Sequence, residues 1–144
     1  MRTTALLALV LLAAACGSYT PVPIQAGDIC ATCKQPITDV KFAAEAISPQ
    51  GMVSKFRTPD CLARHIRQNP TDIAAKWVTD YATGRMIRPE GATYVRAVLN
   101  ENTNERAYAA FGNVKDAVEF GKTAMSSPVD WLMIQRLSAE KKSD

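Results

Sequence analysis

The sequence predicts an α+β protein: one compact domain of two similar halves, behind a short apolar leader and a tether. Three observations predict it. Short runs with apolar residues at alternate positions come in pairs joined by turn residues. Each pair is followed by a stretch that opens on a helix N-cap signal. The order hairpin, helix, further element then occurs twice, the pattern of a layered α+β domain. The 144 residues, 47% of them hydrophobic, suffice for one core. A net charge of +3 without any Lys/Arg run argues against nucleic acid as a partner.

The leader comes first. Arg2 precedes an apolar run over residues 5–15 that is too short to span a bilayer comfortably. No second long apolar stretch follows, so nothing is expected to cross a membrane in the mature protein. The run ends in Ala13-Ala14-Ala15-Cys16-Gly17-Ser18. Small residues just before a cysteine resemble a bacterial lipobox. The resemblance implies a signal peptide over 1–15, cleavage before Cys16, diacylation of Cys16 and an extracytoplasmic, membrane-anchored lipoprotein. The alternative is an ordinary signal peptide with Cys16 as a bystander. Gly17 stands where the inner-membrane retention signal of enteric bacteria has Asp, so the choice between inner and outer membrane is open. Residues 16–27 carry prolines, glycines and no charge, and read as a lipidated tether that lifts a 28–139 domain off the surface. The last residues, 140–144, read as a frayed tail.

Within the domain, residues 28–37 form a loop, because Pro36 disfavours helix before it. Residues 40–48 and 52–56 read as a hairpin around Pro49-Gln50-Gly51, with a short helix as the alternative for 40–48. Thr58-Pro59 opens a helix, with Thr58 as N-cap and Pro59 at the first position, where its missing N–H costs nothing. That helix stops near Asn69-Pro70. Residues 75–81 are a strand and 83–91 a connection. Residues 92–99 form a second strong strand, with Thr93, Val95, Ala97 and Leu99 on one face. A polar turn leads to a strand over 106–111. A helix over 113–125 follows, capped by Asn113, with Val114, Ala117, Val118 and Gly121 along one face. Residues 129–137 fit helix and strand spacing equally.

The chemistry centres on Cys30-Ala31-Thr32-Cys33, with Cys61 and His65 further on. If Cys16 is lipidated, three thiols stay in the domain, and three cannot all pair within one chain. As a redox pair, Cys-x-x-Cys should open a helix after a strand, and this one does not. As a structural disulfide it leaves Cys61 orphaned. As a metal site it gains Cys61 and His65, which share a face because they lie four apart on the proposed helix. Soft thiolates suit Cu(I) and Zn(II) alike. His65 also has a bland reading as a half-exposed helix side chain. Met86, in the connection between the halves, is the one methionine with a case as a thioether ligand; the others read as core filler.

The chain resembles the NosL-type accessory lipoproteins of nitrous-oxide reductase. The resemblance rests on the lipobox at Cys16, Asp28-x-Cys30-x-x-Cys33, Phe42-Ala43-Ala44-Glu45 with Gly51 and Phe56, and Asp60-Cys61-Leu62. It continues through Trp77-Val78-Thr79-Asp80-Tyr81, Ala92-Thr93-Tyr94-Val95, Phe111, Ala117 and the Val129-x-Trp131 region. It implies two ββαβ-like halves and a Cu(I)-binding protein, not an enzyme, that helps supply the copper clusters of that reductase. Its partners would be the copper enzyme client, that enzyme's maturation proteins and the membrane. Two departures stand out. The family commonly has Cys-Gly-Met where this chain has Cys33-Lys34-Gln35, and Pro-Met-Gly where it has Thr103-Asn104-Glu105. Both thioethers are absent, so thiols carry the binding here. The expected site is Cys30 and Cys33 with Cys61 and His65. The competing functions are a zinc- or disulfide-stabilised interaction module and a thiol-disulfide oxidoreductase.

Overall fold

The structure, a computed structural model, describes residues 18–140. Cys16, the leader and residues 141–144 lie outside the described residues.

The first half follows the expected order. Strands β1 (Ala44–Ile47) and β2 (Val53–Phe56) form the hairpin, and Gly51 makes its turn at φ 83°. Helix α1 (Pro59–Gln68) starts at Thr58, whose hydroxyl accepts from the Cys61 N–H at 3.3 Å. It ends at Asn69. Strand β3 (Ala75–Thr79) then returns beside β1. Two details depart from expectation. Residues Val40–Phe42 form a 3₁₀ turn instead of strand, because Asp39 caps it by accepting from the Lys41 N–H. The 83–91 connection contains a two-residue strand, β4 (Met86–Ile87), paired with the end of β3. The sheet order is β2-β1-β3-β4, all antiparallel.

The second half is β5 (Thr93–Asn100), β6 (Glu105–Phe111) and α2 (Val114–Ala124), capped by Asn113. Val129 then pairs antiparallel with Tyr94, each backbone donating to the other at 2.8 Å. This one-residue bridge stands where β3 stands in the first half, so the chain holds two ββαβ-like halves. The undecided stretch becomes helix α3 (Trp131–Glu140), because Asp130 caps it by accepting from the Met133 N–H at 2.8 Å. The α2 face is narrower than predicted. Ala117 and Gly121 are buried, whereas Val114 and Val118 are exposed.

The halves join in two ways. Tyr81 N–H donates to Ala110 O at 2.7 Å, which sets the end of β3 parallel to β6. The β5–β6 ribbon is also used on both faces. Val95, Ala97, Ala107, Ala109 and Phe111 pack with Ala117 beneath α2. Tyr94 and Ala110, on the other face, enter a core with Phe56, Leu62, Val78, Trp131 and Ile134. The alternation read from residues 92–99 is therefore the division between two cores.

Residues 18–27 have no regular secondary structure, yet they are held to the domain. Tyr19 Oη donates to Pro49 O at 3.1 Å. The Val22 N–H donates to both carboxylate oxygens of Glu45, at 2.9 and 3.2 Å. Lys55 Nζ bonds Pro23 O at 3.0 Å and Asp28 at 2.7 Å. The stretch read as a tether thus runs as a strap along the outer side of the β1–β2 hairpin.

Candidate metal centre

The thiol loop is a small hairpin of its own. Ile29 pairs with Pro36, Cys30 N–H donates to Gln35 O, and Ile37 N–H donates to Asp28 O. Lys34 turns the chain at φ 61°, the left-handed region. Besides the Lys55–Asp28 pair, two bonds dock this loop on the first half. The Ala31 N–H donates to Lys55 O on β2 at 2.8 Å, and Thr32 Oγ1 donates to Cys61 O on α1 at 2.9 Å. The second bond ties the loop directly to the helix residue that carries the third thiol.

The result is convergence. The sulfur atoms of Cys30, Cys33 and Cys61 all lie within 4.8 Å of one another. None of the three is in a disulfide. Cys30 and Cys61 are buried, whereas Cys33 is partly exposed. The site therefore has two inner sulfurs and one at its mouth. That mouth opens on a cleft of about 180 Å³, lined among others by Cys33, Arg57, Cys61, Arg64 and Arg106.

The electrostatics prepare a thiolate. Cys30 accepts from the Cys61 thiol and from the backbone at Cys33, Arg57 and Thr32, which together hold it well below the usual thiol range against the cost of burial. Donating that bond, together with burial, pushes Cys61 well above the usual thiol range. The two titrate as a pair that shares one proton. Cations stand by. Arg64 Nη2 lies 3.4 Å from Cys61 Sγ, and Arg57 makes a two-pronged ion pair with Glu105 of β6 at the cleft wall. A thiolate beside guanidinium groups is the ligand form for soft metals.

His65 and Met86 are not drawn into this group. The His65 ring packs on Phe56, with centroids 4.9 Å apart, and Nδ1 faces the Asn69 amide at 3.5 Å. Burial lowers its pKa, and Asp72 and Cys30 offset part of that. Met86 packs against the Ile47–Ala75–Trp77 cluster, and its sulfur accepts from the Thr79 hydroxyl at 3.4 Å. Arg57 and Arg64 were missed at the sequence level. The available signal was that both flank the cap and first turn that hold Cys61.

An α+β fold of two ββαβ-like halves with a three-thiol cluster between a loop and a helix start defines a NosL-like fold with a group suited to metal. A solved structure shares the fold. The chain is similar to the crystal structure of the copper chaperone NosL from Shewanella denitrificans, with a TM-score of 0.58 over 77% of this chain and 94% of that one, at 16% identity. No protein-family model matches the sequence, and no curated protein matches it significantly.

Proposed function

We infer that the protein is a lipid-anchored Cu(I) carrier that delivers copper to an extracytoplasmic copper enzyme, nitrous-oxide reductase by family resemblance. The observation that carries this reading is the group of three converging sulfurs, two inner and one at the mouth. Among the described residues no fourth His, Cys, Asp or Glu joins them. Structural zinc sites are closed four-ligand sets, and three thiolates fall one short of that while still suiting Cu(I). The likeness to a copper chaperone supports the same choice. Transfer would proceed by ligand exchange. A partner's sulfur replaces Cys33 first, because Cys33 is the accessible ligand, and the inner pair releases last. The chemistry is therefore displacement of ligands, with no bond made or broken in a substrate.

The test is a Cu(I) competition titration under anaerobic conditions, with Zn(II) as the rival. Cys30→Ser and Cys61→Ser are expected to abolish tight Cu(I) binding. Cys33→Ser should leave a two-sulfur site that binds more weakly. Tight zinc binding with Cu(I) excluded would favour the structural-module reading. Unchanged Cu(I) affinity in Cys61→Ser would remove the three-sulfur site.

A further inference from the structure

The strap and the hairpin tip together form a surface whose composition has no use in the metal site. Tyr19, Val22, Met52 and Val53 are all exposed. Tyr19 reaches Pro49 in the hairpin turn, and Met52 and Val53 follow that turn directly. Residues 18–27 carry no charge, and no acidic residue lies between Glu45 and Asp60. The patch is therefore apolar, with a tyrosine at its edge; of the carboxylates nearest the strap, Glu45 is buried and Asp28 is paired with Lys55. Tyrosine with apolar neighbours is the composition of a membrane–water interface.

Where the chain leaves the described residues fixes the occupant. The strap is bonded to the domain from Tyr19 onwards. Cys16 lies three residues before Tyr19, a reach of at most about 11 Å when fully extended. We propose that the hairpin tip and the start of the strap, through Tyr19, Met52 and Val53, lie directly on the lipid bilayer beside an acylated Cys16, so that the anchor orients the domain as well as retaining it. This rests on the lipid-anchor part of the proposed function.

The orientation has a direction. Strand β2 runs from Val53 at the tip to Phe56, and the thiol cleft begins at Arg57. Four residues of extended chain span about 13 Å. The mouth of the thiol site then sits at the end of β2 away from the lipid, facing the aqueous side, where a soluble client approaches.

The protein carries its own reporters. Full-length lipidated protein is produced with photo-methionine, placed on phosphatidylethanolamine–phosphatidylglycerol vesicles, irradiated and mapped by mass spectrometry. Met52 is expected to carry several times more lipid adduct than Met125, although Met125 is more exposed, at 89% against 63%. Met133, on α3, should resemble Met125. Acylated protein in which Met125 and Met133 are labelled as heavily as Met52 overturns the docking and leaves the anchor standing. Met52 crosslinked to a second copy of the chain overturns it too. An N-terminal peptide without acyl mass overturns both the anchor and the docking. Copper titration of the same sample reports on the metal site independently.

Discussion

Phe56 and Phe111 hold the same place in the two halves, and different rings cover them. Each ends the second strand of its hairpin, two residues before a helix N-cap, Thr58 or Asn113. Seven residues after each cap stands a second ring, His65 on Phe56 and Phe120 on Phe111, at 4.9 and 5.2 Å. His65 thus fills a packing position. His65→Phe is expected to leave Cu(I) affinity within about threefold, since under 1 kcal/mol separates such values. The variant should also change the pH profile of stability. Burial depresses the folded-state pKa, so the unfolded chain takes the proton first, and stability falls as pH drops below about 6.5. His65→Phe should remove that fall, read as urea midpoints between about pH 7.5 and 5.5. A fall of equal size in both proteins would mean that other groups cause it. The thiols were legible because Cys-x-x-Cys and a capped helix start are local signals. The role of His65 was not, because helical spacing places it on the face of Cys61 without saying what its ring meets. Lys34 is a further case. It takes the left-handed backbone at φ 61°, a conformation that costs a non-glycine residue about 1–2 kcal/mol.

Among the elements, α2 shows why a helix face can be misread. Its buried stripe is small, Ala117 and Gly121, because the chain folds back on it closely. Met125 at φ 50° closes the helix, and the Ser126 N–H returns to Gly121 O at 3.0 Å, a Schellman-type end. A Cβ on Gly121 would sit 2.6 Å from Ser126 O. Gly121→Ala, favourable by about 1 kcal/mol in an open helix, is therefore expected to destabilise the protein by about 1–3 kcal/mol through overpacking. Chemical denaturation measures it, and a stabilised variant would show that the return segment can move aside. Strands 44–47, 53–56, 75–79, 93–100 and 105–111 and helices α1 and α2 were readable, since periodicity and caps are written locally. β4 was not, because two residues carry no period. α3 was not, because its apolar residues fit two spacings and only Asp130 distinguishes them.

At the scale of the whole molecule, the halves share one architecture and divide the chemistry. Cys61 is the third residue after its N-cap, and the third residue after Asn113 is Asp116. The second half supplies Glu105, which holds Arg57 at the cleft wall, and no thiol among the described residues. The aromatic cluster of Tyr81, Phe111 and Phe120 holds α2 to its ribbon without any such group. The second half is thus the chain's own reference for what this unit does with no cargo. Treating the loaded protein with a Cu(I) chelator is therefore expected to leave a cooperative thermal transition, lowered by the linkage of binding to stability, about 4 kcal/mol at a thousandfold excess over Kd. Calorimetry before and after chelation checks this, and loss of the transition would place the protein with metal-dependent folds. On the proposed carrier function, the repeat also bears on where the work of unloading would fall. A zinc finger gives up its ion by coming apart, and the chain bears that disruption. Here aromatic and apolar burial in both halves holds the scaffold together, so on that reading departure of the ion would disturb the sulfurs alone, under whatever ligand a recipient presented.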